Sequence, residues 1–407
     1  MVRAVPKRAW MKQRVIHPVR QTMGTDLCFS IQGASVLRSD GVYDNAELHL
    51  ESGLICADAQ RRKIDLRGYL VLPGIVDIHG DGFERHLAPR RGAMKQTAQG
   101  LIAAEAELAA NGITTGVMAQ FLSWEGGLRG AAFADQVLCA IRDTRASLVT
   151  DLIPQLRFET HLLDEYASLP EDIARWQVPY VVFNDHLPHD RLAAGKRPPR
   201  LTGQALKAGR SPEAHLALIE GLFARTHEVG AALDHLCADL RARGIRMGSH
   251  DDATQQRRRQ WHDRGVHIAE FPETVEAAET AKAAGDAVIL GAPNVVRGGS
   301  HNGNASAVDL IAMGLCDALA SDYHYPSPRR AALMLAASGL TDLAGAWHLV
   351  SAGPARVLGL TDRGTLVSGQ RGDLVVLEQG SHRVVATMAA GRFSYMSGDV
   401  ATRFMAA

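Results

Sequence analysis

The sequence predicts an α/β fold, a (β/α)8 barrel of the TIM type, joined to a small β-sandwich that both terminal segments build together. Between residues 73 and 349, apolar strand-like runs alternate with longer amphipathic segments, and eight such repeats suggest a barrel rather than an open sheet. Polar residues follow these runs, as expected where the carboxyl ends of barrel strands gather. Outside this region, short apolar runs alternate with turns, which indicates antiparallel strands.

We expect three regions along the chain. Residues 1–25 are basic but lack the apolar core of a secretory signal, so we interpret them as a disordered arm or as sequence upstream of a start at Met23. Residues 26–72 and 350–407 share one pattern of short apolar runs, which predicts that they pair into the sandwich. Residues 73–349 form the barrel.

The barrel strands are expected to end where apolar runs meet polar residues. Strand ends are predicted near His79, Phe121, His161, His186, Asp252, Thr274, Arg297 and Tyr323. Helices are predicted for the amphipathic segments 94–111, 131–144, 211–243, 274–285, 305–314 and 329–338. Residues 188–210 interrupt the alternation with Pro, Gly and basic side chains, and we interpret them as a long loop or lid over the barrel mouth.

The composition narrows the class of protein. The 407 residues include 44 Lys and Arg and 44 Asp and Glu, and this net charge of +0 argues against a nucleic-acid or membrane-surface partner. No apolar run approaches the ~20 residues of a membrane-spanning helix. The five cysteines are scattered and odd in number, which indicates buried free thiols in a reducing compartment, the cytoplasm. A homo-oligomer is left open.

The predicted strand ends carry imidazoles and carboxylates. His79 and Asp81 lie two residues apart, so on a strand they face the same side and can hold a divalent ion between them. Glu159 and His161 repeat this spacing after another strand. Three further strands lead to His186, His250 and Asp322.

Together these side chains predict a metal centre of one or two ions. In a two-ion centre Glu159 is the natural bridging carboxylate, because no lysine ends a strand here to be carboxylated. Asp322 follows an apolar strand on a short Ser-Asp turn, and we interpret it as the base that takes a proton from metal-activated water, or as a ligand. Zinc, manganese and iron all suit imidazole and carboxylate ligands.

A second group of residues indicates anion binding, because it combines cations with glycine backbone that an anion can approach closely. These residues are Arg297, Gly298, Gly299 and His301 within 294–304, and Arg85, Arg90 and Arg91 after the first strand. They predict a phosphorylated small-molecule substrate. The arginine runs 257–259 and 329–330 are interpreted as solvated helix faces and are left out of the site.

The chain resembles a known family at several motifs. Residues 72–79, with the strand-like run 372–377, resemble the amidohydrolase superfamily. Residues 77–87, 249–254, 291–304 and 321–323 are similar to the PhnM-type α-D-ribose 1-methylphosphonate 5-triphosphate diphosphatases of the carbon–phosphorus lyase pathway. The similarity covers nearly the whole chain from about residue 27 onward.

This resemblance implies hydrolysis of a ribose 5-triphosphate ester to the 5-phosphate and pyrophosphate. It implies that the metal ligands are His79, Asp81, Glu159, His186 and His250. Asp322 would be the base or a ligand, and Arg297 with the Gly298–Gly299 backbone would bind phosphate oxygens. The residues alone leave open an amidohydrolase that cleaves a C–N bond, such as a deaminase, cyclic amidase or deacetylase, and a barrel that binds a ligand without catalysis.

Two stretches at the barrel mouth differ from the family pattern. The chain has Gly80-Asp81-Gly82-Phe83 where members carry Thr-Asp-Asn-Leu, and residues 185–190 read Asp-His-Leu-Pro-His-Asp where members carry Asp-His-Thr-Pro-Gly-Gln. We expect both differences to alter substrate contacts more than metal ligands.

Overall fold

The computed structural model describes residues 27–88, 96–298 and 305–407. The basic segment 1–25 lies outside the described residues. So do four of the candidate phosphate-binding residues, Arg90, Arg91, Gly299 and His301.

The amino-terminal part of the chain is a group of five strands. They are β1 (Phe29–Arg38), β2 (Gly41–Glu51), β3 (Leu54–Cys56), β4 (Lys63–Asp65) and β5 (Tyr69–Pro73). β1 and β2 form an antiparallel hairpin, whereas β4 and β5 run parallel to β1. The unit is therefore mixed rather than purely antiparallel.

Eight parallel strands follow and form the barrel. They are β6 (Ile75–Gly80), β7 (Ile113–Leu122), β8 (Asp151–Glu159), β9 (Tyr180–Asn184), β10 (Arg246–His250), β11 (Ile268–Glu270), β12 (Ala287–Gly291) and β13 (Ala318–Ala320). Each strand pairs with the next in chain order. The backbone N–H of Asp322 donates to the carbonyl of His79, and the N–H of Asp81 donates to the carbonyl of Asp322, which joins the last strand to the first. The predicted barrel is confirmed.

The chain returns to the first sheet through three antiparallel strands, β14 (Leu374–Glu378), β15 (Val384–Ala389) and β16 (Arg392–Met396). β14 pairs with β5, so both ends of the chain share one hydrogen-bonded sheet, as predicted from their common pattern. Its inward side chains, among them Phe29, Ile31 and Val376, form a hydrophobic core separate from that of the barrel.

Helices connect the barrel strands and cover their outer face, except the carboxyl-terminal helix, which packs on the terminal sheet through Val400 and Phe404. They are α1 (Glu84–Leu87), α2 (Thr97–Ala110), α3 (Ala131–Thr144), α4 (Leu169–Trp176), α5 (His189–Ala193), α6 (Leu201–Ala208), α7 (Pro212–Ala224), α8 (Thr226–Ala242), α9 (Gln255–Asp263), α10 (Val275–Ala283), α11 (Ala292–Arg297), α12 (Ala307–Ala312), α13 (Ser327–Ala337), α14 (Leu343–His348), α15 (Ala352–Val357) and α16 (Gly398–Ala406). Within the ranges that the structure describes, no helix is both long and apolar enough to cross a bilayer.

Three local predictions are wrong. The seventh strand ends at Gly291 and not near Arg297, because Pro293 occupies the first turn of helix α11, where its missing N–H is not needed. The segment 211–243 is two helices separated at Arg225, and the insert 188–210 contains α5 and α6.

The arginine run 257–259 is a solvated face only in part, because Arg259 is exposed and Arg257 partly exposed but Arg258 is not. Arg258 is fully buried and pairs with Asp252, because it lies on the same side of α9 as the buried Trp261, three residues further on. The five cysteines are free thiols, but only Cys237 is fully buried.

Candidate active site

Two histidines from separate strands meet in the barrel mouth. His79, near the end of β6, and His250, at the end of β10, lie with ring centroids 5.6 Å apart. The Nε2 atom of each ring faces the guanidinium of Arg157 on β8, at 3.4 Å for His79 and 2.9 Å for His250. Asp81 joins them, with its Oδ2 atom 3.5 Å from the same guanidinium.

Carboxylates behind the two imidazoles fix their orientation. The Nδ1 atom of His79 lies 2.7 Å from Oε2 of the fully buried Glu270, and Nδ1 of His250 lies 2.9 Å from Oδ2 of Asp251. Both contacts are at ion-pair distance, although neither is aligned as an ideal hydrogen bond. A carboxylate on one ring nitrogen directs the other nitrogen to a metal. Both Nε2 atoms are therefore directed to one point.

The electrostatics of the two rings differ. Burial is the strongest single influence and would lower the pKa of His79, but the interactions with Glu270 and the charge of Asp81 together outweigh it and raise the pKa. Burial lowers the pKa of His250, so its imidazole favours the neutral form that binds metals. Asp322, two residues after β13, is also largely buried, and burial together with the nearby Asp81 raises its pKa to about 6.

A second pair of predicted ligands lies beside the first group. The imidazole of His186 contacts the carboxylate of the buried Glu159 through Nδ1, and its backbone N–H donates to the same carboxylate at 3.2 Å. The His186 ring lies 6.4 Å from the ring of His250. Glu159 and His186 thus extend the imidazole and carboxylate cluster along one side of the barrel mouth.

These donors fit a divalent metal ion. One ligand atom each of His79, Asp81 and Asp322 lie within 4.8 Å of one another, and the same holds for His79, His250 and Glu270. Two imidazoles and two or more carboxylates are a donor set that zinc, manganese and iron accept. The point where the Nε2 atoms converge is occupied by the Arg157 guanidinium, which marks it as a place that attracts a cation.

Arg157 is held firmly at this point. It is 4% exposed, its Nε atom donates to Asn184 Oδ1 at 3.2 Å, and its guanidinium stacks 3.9 Å from the centre of the Phe121 ring. Arg129 stacks on the same ring at 4.0 Å and pairs with Glu125. Because both guanidinium groups stack on the Phe121 ring, two positive charges lie close together in the cleft.

The cleft above the cluster has a volume of about 280 Å³. Its polar lining includes His186, His250 and Asp322 from the cluster and three cations, Arg129, Arg157 and Arg297. Arg297 ends helix α11, and its side chain donates to Asn294 and Tyr323. The arrangement can bind an anion directly beside a metal centre.

Comparison with known proteins agrees with this geometry. None of the established protein-family models matches the sequence. The alpha-D-ribose 1-methylphosphonate 5-triphosphate diphosphatase of Escherichia coli (strain K12) is 32% identical over 360 residues, which cover 84% of this chain and 93% of that protein. The chain belongs to the PhnM-type diphosphatase family of the amidohydrolase superfamily. It is therefore a metal-dependent hydrolase.

Solved structures share the fold of this diphosphatase family member. N-acetylglucosamine-6-phosphate deacetylase from Pasteurella multocida superposes with a TM-score of 0.60 at 11% identity, over 91% of this chain and 100% of that chain. A triazine hydrolase variant superposes with a TM-score of 0.57 at 12% identity, over 93% and 99% of the two chains. At such identities the likeness concerns the fold alone.

The structure brings some of the predicted phosphate-binding residues to the cleft and not others. Arg297 lines it, and Gly298 follows as the left-handed residue that ends α11, with a φ of 75°. Arg85 does not line it, because its guanidinium pairs with Glu107 and the backbone carbonyl of Tyr323.

The first departure from the diphosphatase pattern is accompanied by close local packing. A Cβ atom at Gly80 would lie 2.9 Å from the ring of the buried Tyr325, and one at Gly82 would lie 3.3 Å from it. Phe83 is fully buried in the core. The glycines therefore make room for Tyr325, and the expected change in substrate contacts stays a prediction.

The second departure adds a polar group at the mouth. His189 donates through Nε2 to Asp185 at 2.9 Å, and its ring lies 5.1 Å from that of the buried His161. The Asp185 carboxylate thus connects two imidazoles next to His186. His161, the partner of Glu159 in the sequence pattern, points to this group and not to His79 and His250; one ligand atom each of His161, Asp185 and His189 lie within 4.8 Å of one another.

Sequence reasoning missed Arg157, Arg129 and Glu270. Arg157 lies two residues before Glu159 on β8, so the same alternation that placed Glu159 in the barrel also places Arg157 there. Glu270 ends β11, a strand of only three residues, which is too short to show a period of two.

Proposed function

We propose that this chain hydrolyses a ribose 5-triphosphate ester, such as α-D-ribose 1-methylphosphonate 5-triphosphate, to the 5-phosphate and pyrophosphate in phosphonate catabolism. One observation carries the proposal: the imidazole and carboxylate cluster shares a cleft with three arginines. A hydrolase of neutral amides needs the cluster but not the three cations, whereas a triphosphate chain needs both. The name of the Escherichia coli relative supports the same substrate.

The proposed roles follow from position and charge. His79, Asp81 and His250 would hold a divalent ion, and Glu159 with His186 would hold a second one. Such a metal, when bound, polarises a phosphoryl oxygen and lowers the pKa of water. Asp322 takes the proton from the attacking water, since its carboxyl lies beside Asp81 and its raised pKa of about 6 suits a base that works near neutral pH.

The arginines are proposed to hold the phosphate chain. The planar guanidinium matches two phosphate oxygens at once, and Arg129 and Arg297 are each oriented by a neighbouring side chain, Glu125 and Asn294 respectively. The reaction consumes one water, whose oxygen bonds to phosphorus as a P–O–P bond breaks and pyrophosphate departs. A cytoplasmic location is part of the same proposal, because free cysteines suit a reducing compartment.

A product assay tests the reaction. Metal-loaded protein is incubated with a ribose 5-triphosphate ester, and in parallel with N-acetylated sugar phosphates and cyclic amides. We expect pyrophosphate from the first and no ammonia, acetate or carboxylate from the others. Release of such a product without any pyrophosphate, from protein of verified metal content, would contradict the proposal in favour of C–N bond hydrolysis.

A matched pair of variants tests the role of the cations. Arg297→Met removes a cation that lines the cleft, whereas Arg85→Met removes one that pairs with Glu107 outside it. We expect the first change to raise KM for the triphosphate about 10-fold or more, in line with the loss of one charge-assisted hydrogen bond, and the second to leave KM unchanged. Equal effects would argue against a phosphate site at Arg297.

A further inference from the structure

A second cluster of metal-type ligands lies at the other end of the barrel. His262 is near the end of α9, His267 comes directly before β11, and Asp286 comes directly before β12. All three are thus at the amino ends of the strands. Since Glu270 ends the same strand β11 at the barrel mouth, the cluster is separated from the candidate active site by the length of that strand.

The three side chains already have the spacing of a metal site. The Nδ1 atoms of His262 and His267 each lie 2.9 Å from Oδ1 of Asp286, and all three ligand atoms lie within 4.8 Å of one another. In a tetrahedral zinc site with bonds of ~2.0–2.1 Å, ligand atoms are about 3.3 Å apart. The two imidazole–carboxylate distances therefore need to lengthen by only a few tenths of an ångström to accept an ion, and the ligand atoms of the two imidazoles already lie within 4.8 Å of each other.

The Asp286 carboxylate is held in place by an arginine, Arg258. The side chain of Asp286 is 1% exposed, and its Oδ2 atom faces the guanidinium of the fully buried Arg258 at 3.4 Å. That guanidinium also donates to Asp252 Oδ2 at 2.9 Å and to Ser249 Oγ at 2.7 Å. A partner on one carboxylate oxygen leaves the other directed at the imidazoles, as is usual for groups that orient metal ligands.

Charge and access also favour a cation here. One guanidinium faces two carboxylates, so the group carries one net negative charge when both imidazoles are neutral. The side chains of His262 and His267 are 37% and 59% exposed, which leaves a path for an ion and for the water that completes its coordination. Two imidazoles and one carboxylate select late first-row transition metals such as Zn²⁺, Ni²⁺ and Cu²⁺ over Mg²⁺ or Ca²⁺.

We propose that His262, His267 and Asp286 form a second, non-catalytic site for a divalent transition metal. The ion binds the two Nδ1 atoms and Asp286 Oδ1, and it replaces the protons that the imidazoles otherwise share with the carboxylate. It ties α9 to the starts of β11 and β12. The ordinary alternative is a purely hydrogen-bonded His-Asp-His group, which binds no ion.

The experiment separates this site from the catalytic one by removing the latter. Full-length protein carrying Asp81→Ala, His186→Ala and His250→Ala is stripped with a chelator and titrated with Cu²⁺. We expect one tightly bound ion whose electron paramagnetic resonance spectrum shows hyperfine coupling to two imidazole nitrogens. Adding His267→Ala should abolish it, whereas His227→Ala, an exposed histidine on α8 whose Nδ1 faces only a backbone carbonyl, should not.

Two results would overturn the proposal. One is the absence of a stoichiometric ion in the Asp81→Ala, His186→Ala, His250→Ala protein, and the other is a Cu²⁺ stoichiometry that His267→Ala leaves unchanged. If this triple variant does not fold, as judged by circular dichroism, the same question is put to the otherwise unchanged chain. There, His267→Ala must lower the total Zn²⁺ content by one ion per chain, and equal totals would refute the site.

Discussion

Arg157→Met tests whether the guanidinium at the centre of the cluster competes with a divalent ion. Methionine keeps an unbranched apolar stem that can pack on Phe121 but removes the charge. In the present structure the guanidinium donates to His250 Nε2 at 2.9 Å, while its contacts to His79 and Asp81, at 3.4 and 3.5 Å, are at the limit of hydrogen bonding. An ion bound to these Nε2 atoms must first displace it.

The hydrogen bond from Arg157 to His250 determines how much the metal affinity should change. A hydrogen bond with a charged partner contributes about 1.5–3 kcal/mol, so an ion that breaks it loses about 10- to 150-fold in affinity. Arg157→Met should bind Zn²⁺ or Mn²⁺ tighter by that factor when substrate is absent. Turnover of the triphosphate should nevertheless fall, because the cleft loses one of its three cations.

Calorimetric titration of chelator-stripped protein measures the affinity directly. Arg129→Met is the matched control, because Arg129 stacks on the same Phe121 ring but pairs with Glu125 and not with the imidazoles. It should leave the metal affinity unchanged and weaken only substrate binding. An Arg157→Met protein that binds metal no tighter than the unchanged chain would refute the competition.

Three further changes address the base, the orienting carboxylate and the barrel closure. Asp322→Asn should lower turnover about 10²–10⁴-fold with metal content retained, as expected for loss of a proton acceptor, and an unchanged rate would exclude that role. Glu270→Gln should weaken metal binding about 10- to 100-fold in the same titration, because the His79 ring loses its charged partner; equal affinity would contradict an orienting role. Asp77 on β6 accepts hydrogen bonds from the backbone N–H and the Oγ of Ser321, directly after β13, and so helps to close the barrel. Asp77→Asn should flatten the pH dependence of unfolding. Burial raises the pKa of Asp77 from 3.8 to about 7, so its contribution to stability is complete below pH 3.8 and is lost as the pH rises through about 7. Urea unfolding of chelated protein at pH 5 to 8 measures this, and an unchanged slope in the variant would contradict it.

The barrel was predictable because each strand that builds it ends in a visible change from apolar to polar residues. The exception was the seventh strand, where the apolar pair Val295-Val296 continues the pattern beyond Gly291 although Pro293 has already begun a helix. Local apolar content cannot distinguish a short buried helix from a strand.

The part of the site that could be predicted from the sequence is the part that residue spacing reveals. His79 and Asp81 stand two apart on one strand, and this spacing alone indicates that they act together. Which histidines share a point could not be read from the chain, because His161 and His186 both follow barrel strands and yet join different groups. Arg157 was missed for a chemical reason: a search for metal ligands passes over a cation, although a cation is what such ligands attract.

The backbone conformation after three barrel strands determines where the side chains of Asp251, Phe271 and Asp322 point. Asp251 and Phe271 directly follow barrel strands, and Asp322 lies two residues after β13. Each has a positive φ, of 59°, 54° and 54°, a conformation that costs a non-glycine residue on the order of 1 kcal/mol. In each case the N–H donates to a carbonyl of the next strand around the barrel, that of Glu270, Ile289 and His79 respectively. The hydrogen bonds that hold neighbouring strands together therefore also stabilise the strained turns. Because of those turns, the Asp251 carboxylate lies against the His250 ring and the Phe271 ring packs on the imidazoles of His79 and His250. The turn at Asp322 places its carboxylate next to Asp81.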